Sequence, residues 1–388
     1  MAKQRDPGFE TICMHLADDR EAHFGAAAPP IYQNSTFTFP DSATFHVRQQ
    51  PGATRFDYTR TSNPTTRILE KKIARLEQGE DCRAFGSGMG AITAAILSCV
   101  SAGDHIVTID TVYGPTRKLL TELLPRFGVE TTFVRGTAID QFEAAIRPNT
   151  RLLFVESPSS IFLELQDLAA VAKLAQSRNI VTICDNSNAT PVFQNPIAMG
   201  IDLVVHTATK YIGGHSDVVA GLIVGTADRM DSIGRVESQL LGATCDPFAA
   251  WLMLRGLRTL PIRMERHRRS GLEIARFLMT DARVGRTFYP GLDLHPQHGL
   301  AKRQMRGQSG LFSFELRENT QAATFAVVDA LAYFSIGVSW GGYESLAVPL
   351  YTVDPATGKE TWVIRLSVGL ETVEDLKADL YQALNRIS

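Results

Sequence analysis

The 388 residues exceed what one hydrophobic core usually serves, so two domains are expected. Hydrophobic and charged fractions of 44% and 21% are those of an ordinary globular chain, and a formal net charge of -2 excludes bulk attraction to nucleic acid or to an anionic membrane. Cys13, Cys82, Cys99, Cys184 and Cys245 stand far apart, with no CxxC pair or Cys/His cluster. That pattern argues against a metal site and implies free thiols in a reducing, cytoplasmic setting.

Residues Met1 to Arg20 are charged and lack the apolar core of a signal peptide. A short helix is expected near Glu10 to Leu16. Beyond it come Ala26-Ala-Ala-Pro-Pro30, Ile31 to Phe37 and a polar stretch through Gln49 to Thr54. Prolines and glycines exclude long regular elements here, so residues 1–62 read as an arm lying on another surface, of the protein or of a neighbouring subunit.

At Asn63 the pattern changes, and a large domain over 63–257 begins. Pro64 to Leu76 predicts an amphipathic helix with Ile68, Leu69, Ile73 and Leu76 on one face. The glycine run Phe85-Gly-Ser-Gly-Met-Gly90 precedes helical Ala91 to Cys99. It makes a poor dinucleotide fingerprint, because no strong strand precedes it and the sixth-position glycine is missing. The uncharged run Ala84 to Gly103 reads as a buried helix rather than a membrane span.

Strands are expected at His105–Ile109, Glu130–Val134, Leu152–Glu156, Ile180–Asp185 and Leu203–His206, with helices at Pro115–Phe127, Ala138–Ile146 and Asp167–Arg178 between them. This alternation implies an α/β fold with a mostly parallel buried sheet, whose ligand binds beyond the carboxyl ends of the strands. A helical stretch from Phe248 to Thr280 leads into a C-terminal α/β domain, 258–388. It carries Arg258, Arg263, Arg266, Arg268 and Arg269, which read as a solvated or subunit-facing surface. Leu311–Glu315 and Thr361–Val368 are expected strands; Thr320–Leu331 and Val373–Arg386 are expected helices.

Asp185 ends one strand, and Lys210 follows another in His206-Thr-Ala-Thr-Lys-Tyr-Ile-Gly-Gly-His-Ser-Asp217. Both therefore fall on one edge of the sheet. A lysine there can form a Schiff base with an aldehyde cofactor, and an aspartate there can keep a pyridine nitrogen protonated. A phosphate anchor is available at the helix start of the glycine run, with hydroxyls from Thr207 and Thr209.

These residues resemble the pyridoxal-phosphate (PLP) dependent transsulfuration, or Cys/Met metabolism, family of fold type I. The resemblance runs over nearly the whole chain. It rests on Tyr58-Thr-Arg60, Ser87-Gly-Met89, Tyr113, Glu156-Ser-Pro158, Asp185-Asn186, Ala208-Thr-Lys-Tyr211, Gly214-His-Ser-Asp217, Arg255-Gly-Leu-Arg-Thr-Leu260 and Ile364-Arg-Leu-Ser-Val-Gly369. It implies an aspartate-aminotransferase-like large domain with a seven-stranded, mostly parallel sheet. It further implies that Lys210 carries PLP and shuttles protons, and that Tyr113 or Tyr58 assists.

Cofactor contacts are implied for Ser87, Gly88, Met89, Tyr113, Asp185, Thr207 and Thr209, with Tyr58 and Arg60 serving the neighbouring subunit. Substrate contacts are implied for Tyr113, Ser339, Trp340 and, at the α-carboxylate, Arg365. A homotetramer built as a dimer of dimers follows from the same resemblance, with no nucleic acid or membrane partner.

The C-terminal half looks most like the cystathionine β-lyase branch, through Gly310-Leu-Phe-Ser-Phe314 and Ser339-Trp-Gly-Gly-Tyr-Glu-Ser345. Ser159-Ser160 favours the same side. The reaction so implied cleaves L-cystathionine to homocysteine, pyruvate and ammonia. The alternative is a γ-lyase or γ-replacement enzyme acting on an O-substituted homoserine, methionine, cystathionine or canavanine. Asn188 departs from the family, which carries an aromatic residue there, and Gly90 replaces a common alanine.

Overall fold

The computed structural model describes residues 6–48, 50, 55–353 and 360–387. The part of the polar stretch at residues 49 and 51–54 lies outside the described residues. Seven strands form the larger sheet: β1 (Asp81–Phe85), β2 (His105–Ile109), β3 (Glu130–Val134), β4 (Thr150–Glu156), β5 (Val181–Asp185), β6 (Leu203–His206) and β7 (Gly221–Gly225). Their spatial order is β1-β7-β6-β5-β4-β2-β3. Every pairing from β6 through β3 is parallel, whereas β7 runs antiparallel to both of its neighbours. Reversal on each side of β7 leaves β1 pointing the same way as the parallel set. The central strands are β-branched and apolar because helices cover both faces.

β1 corrects the expectation that no strand precedes the glycine run. It is an edge strand of alternating pattern, and its polar members Asp81 and Arg83 pair with each other and with Arg67 and Glu70. Alternation over five charged and apolar residues hides such a strand from a hydrophobicity reading. The expected helix Pro115–Phe127 is also altered. It begins as a helix at Gly114–Lys118, widens over Leu119–Leu123 and tightens over Leu124–Phe127. Pro125 has no N–H for a regular ladder.

A second sheet joins β8 (Val284–Phe288), β9 (Leu311–Leu316), β10 (Ser335–Ile336), β11 (Leu346–Val353) and β12 (Glu360–Ser367) in the order β10-β11-β12-β9-β8. Only its short edge pair β10–β11 is parallel. Its core, including Phe312, Phe314, Leu366 and Leu376, is separate from the core of the larger sheet. The helix Leu260–Thr280 spans both, giving Leu260 and Met264 to the first core and Ile274, Ala275 and Leu278 to the second.

The single helical stretch expected from Phe248 to Thr280 is two helices, Pro247–Leu257 and Leu260–Thr280, broken ahead of Pro261. Nor is its arginine row all solvated. Arg263 is buried and donates to Tyr211 O at 2.7 Å and Gly256 O at 2.8 Å. Among the described residues, no helix is long and apolar enough to cross a membrane.

Candidate active site

Five strands release chain at one edge of the larger sheet. Ser87 follows β1, Tyr113 follows β2, Glu156 ends β4, Asp185 ends β5, and Thr207 to Lys210 follow β6. Glu156 and Asp185 are direct partners in the β4–β5 register. A recess at this edge is lined by Tyr113, Glu156, Asp185, Lys210 and Trp340, among others.

Asp185 is buried, and its Oδ1 accepts from Ser187 N at 2.9 Å and Ser187 Oγ at 2.5 Å. Among the described residues, no hydrogen bond engages its Oδ2. Burial raises the carboxyl above its usual range against the pull of the Ser187 bonds. Ser187 Oγ also accepts from Thr207 N at 2.6 Å, so one hydroxyl ties the Asp185 loop to the Lys210 segment.

Lys210 Nζ donates to Ser339 Oγ at 2.7 Å and lies 5.3 Å from the centre of the Trp340 ring. Burial, with the Arg365 charge adding to it, lowers its ammonium to about 8 against the opposing pull of Asp185. The Ser339 loop reaches this point because Gly341, at φ +81°, is left-handed. A Cβ there would stand 2.8 Å from Tyr211 N, so only a glycine lets the loop lie against the Lys210–Tyr211 backbone.

Ser87 caps the helix Gly88–Leu97 through Gly90 N at 2.9 Å. A Cβ on Gly88 would collide with the Thr207 side chain. The helix start at Gly88 therefore packs directly against Thr207 of the Lys210 segment, and a helix N-terminus there has the form of an anion cradle.

A family model described as Cys/Met metabolism PLP-dependent enzyme matches residues 10–385. The chain belongs to this family. An L-methionine gamma-lyase from Fusobacterium nucleatum subsp. polymorphum is 40% identical over 391 residues, 98% of each chain. A cystathionine beta-lyase from Lactococcus lactis subsp. cremoris is also 40% identical, over 97% of this chain and 99% of that protein. The crystal structure of metB from Corynebacterium glutamicum superposes with a TM-score of 0.90 at 35% identity, covering 98% of each chain. The protein is thus a PLP-dependent lyase of the Cys/Met metabolism family with the type I fold.

The described residues fit that cofactor. A desolvated amine, a buried carboxylate with an open oxygen and a glycine-bearing helix start packed on Thr207 lie at one edge. Other expected site residues are placed less directly in this family member. Thr209 does not line the recess, and its hydroxyl accepts from Ala220 N at 3.0 Å and donates to Ala220 O at 3.3 Å. Arg365 on β12 is not a lining residue either, and donates to Val338 O at 2.9 Å. Its charge nevertheless acts on Lys210, Glu156 and Tyr113. Tyr58 and Arg60 stand apart from the Lys210 recess of their own chain, in a surface hollow with Gln33, Asn34 and Asp246. The Arg60 guanidinium lies 5.6 Å from the Tyr58 ring centre.

Glu156 was legible as part of a motif but not as a site residue. Its Oε2 accepts from Tyr113 N at 2.8 Å and its Oε1 from Ser160 Oγ, which fixes the start of the Tyr113 helix. Burial, and then the Asp185 charge, push its carboxyl up to about 8. The signal that would have found it is the one that found Asp185: an acidic residue ending an apolar parallel strand. Ser187 carried no comparable signal.

Proposed function

We propose that the protein is a carbon–sulfur β-lyase that, with water, cleaves L-cystathionine to homocysteine, pyruvate and ammonia, or a related thioether amino acid to the corresponding thiol, pyruvate and ammonia. The observation that carries this reading is the Lys210 amine, 2.7 Å from Ser339 Oγ and 5.3 Å from the Trp340 ring centre. A neutral amine so held can take a proton from the substrate's Cα and hand it to a sulfur leaving from the adjacent carbon. The resemblance of Ser339 to Ser345 to the β-lyase branch supports the same assignment, as does the Lactococcus relative.

PLP, when bound, would supply an electron sink for the charge that develops at the substrate's Cα. Lys210 is the residue that joins the cofactor and shuttles the proton. Asp185 holds the ring nitrogen protonated, since a buried carboxylate is best neutralised by a cation. Tyr113 flanks the ring and assists with the proton. Ser87, Gly88, Met89 and Thr207 would hold the phosphate, and Thr209 would join them by turning its hydroxyl from Ala220. Arg365 receives the substrate α-carboxylate as a bidentate partner, and Ser339 and Trp340 roof the substrate.

Residues 1–62 form an arm, 63–257 the cofactor domain and 258–388 the C-terminal domain. Tyr58 and Arg60, distant from their own recess, complete a neighbour's site in a dimer that pairs into a tetramer. The five free thiols suit a reducing cytoplasm.

A second reading, γ-cleavage of a homoserine-type substrate or of methionine, is favoured by the gamma-lyase relatives at 38–40% identity. Product identification decides between them. Purified protein given L-cystathionine and PLP is expected to release pyruvate and a free homocysteine thiol. 2-Oxobutyrate as the keto acid would overturn the β-lyase reading in favour of the second.

A further inference from the structure

Asn188 lines the recess, and the proposed chemistry gives it no task. It stands three residues after Asp185, is 7% exposed, and lines the recess beside Ser187, Leu311 and Trp340. Its Oδ1 accepts from Ser309 Oγ at 2.9 Å. The Ser309 hydroxyl in turn accepts from Leu311 N at 3.3 Å and also lies against the Tyr211 phenol. This leaves Nδ2, with two N–H groups, buried and without a partner. Among the described residues that line the recess, no other carries a buried side-chain polar atom in that condition. Buried amide donors are almost always paired, so such an exception calls for an acceptor that is itself a visitor to the site.

We propose that Asn188 is a ligand-binding residue whose Nδ2 donates a hydrogen bond to an oxygen on the molecule occupying the recess. The inference rests on the PLP-lyase reading and deepens it. Two sources could supply that oxygen: the ring hydroxyl oxygen of the cofactor, or an acceptor on the substrate beyond Cβ, such as the distal carboxylate of a cystathionine-like thioether. The Ser309 contact argues for a recognition role, because it links the loop after Asp185 to the start of β9. It thereby sets the amide where the cofactor edge and the second sheet meet. A phenylalanine at this position could offer the recess no such donor.

The test compares the wild-type holoenzyme with Asn188→Leu, which removes the donor, and Asn188→Asp. The latter keeps the shape and the Ser309 contact while turning donor into acceptor. Thermal melting of each holoenzyme checks that the variants fold. One arm titrates PLP into cofactor-free protein and follows its visible band against pH. The other measures kcat/KM for L-cystathionine and for S-methyl-L-cysteine, which has no oxygen beyond Cβ.

A cofactor source predicts that both variants shift the band's titration or weaken PLP binding about tenfold. A substrate source predicts an unchanged band. It also predicts an about tenfold selective loss for L-cystathionine in Asn188→Leu, with a larger loss in Asn188→Asp. Folded variants matching wild type in both arms would overturn the proposal. Wild-type protein that binds no PLP would instead refute the reading on which it rests.

Discussion

Lys210 and Asp185 come from strands buried on both faces in a parallel sheet, whereas Ser339, Trp340 and Arg365 come from an antiparallel sheet and from a loop reaching out of it. The first group is fixed by backbone pairing within a few residues of each side chain. The second reaches the recess across the junction of two hydrophobic cores, held by contacts such as Gly341 on Tyr211 and Gly341 N to Ser367 Oγ at 3.2 Å. Under the proposed roles, cofactor chemistry rests on the sheet-anchored part, and choice of substrate on the part that can vary without disturbing it.

Lys210→Ala probes the rigid side with the largest expected effect. The protein should still fold, since the lysine side chain contributes no core packing. The visible band of bound cofactor should vanish and turnover fall at least ~1000-fold, the scale of losing an essential covalent and acid–base group. A yellow, active Lys210→Ala protein would erase the distinction between the two sheets. Arg365→Leu probes the other side. The cofactor band should stay intact while KM for amino-acid substrates rises about 100-fold, as expected for the loss of a bidentate carboxylate contact. Loss of the band itself would show that the second sheet also holds the cofactor.

The smallest expected effect is in pH. Because burial and the Arg365 charge lower the Lys210 ammonium to about 8, the neutral amine is the minority form below that pH and the majority form above it. PLP uptake by cofactor-free protein, followed by its absorbance, should quicken by about tenfold per pH unit up to about pH 8 and then level off. A rise continuing to the pH of an ordinary lysine would mean that the amine is not desolvated.

Much of the larger sheet was legible because buried parallel strands are short apolar runs. β2, β3 and β6 fall where His105–Ile109, Glu130–Val134 and Leu203–His206 predicted. The strands that escaped notice have other patterns. β1 is charged and alternating, β7 is the glycine-flanked Gly221–Gly225, and β11 contains Pro349. The pair Asp185 and Lys210 was readable from strand ends alone. The Asn188–Ser309 bond, which spans 121 residues of sequence, could not be read from local pattern, because only the folded contact between the two halves creates it.

The reversal of β7 has a consequence for how far the catalytic amine can travel. A parallel crossover would carry the chain after β6 off to the opposite edge, but residues 207–220 leave and return on the same one. The arch is pinned at the Ala220 end, where Thr209 N donates to Ala220 O at 3.3 Å, and at the β6 end by Ser187 on Thr207 N at 2.6 Å. Backbone displacement at Lys210 would strain both footings together. If Lys210 is the proposed proton shuttle, the stroke between Cα and leaving group comes from rotation about its four-carbon stem, which sets a short leash on where a substrate's scissile bond can lie.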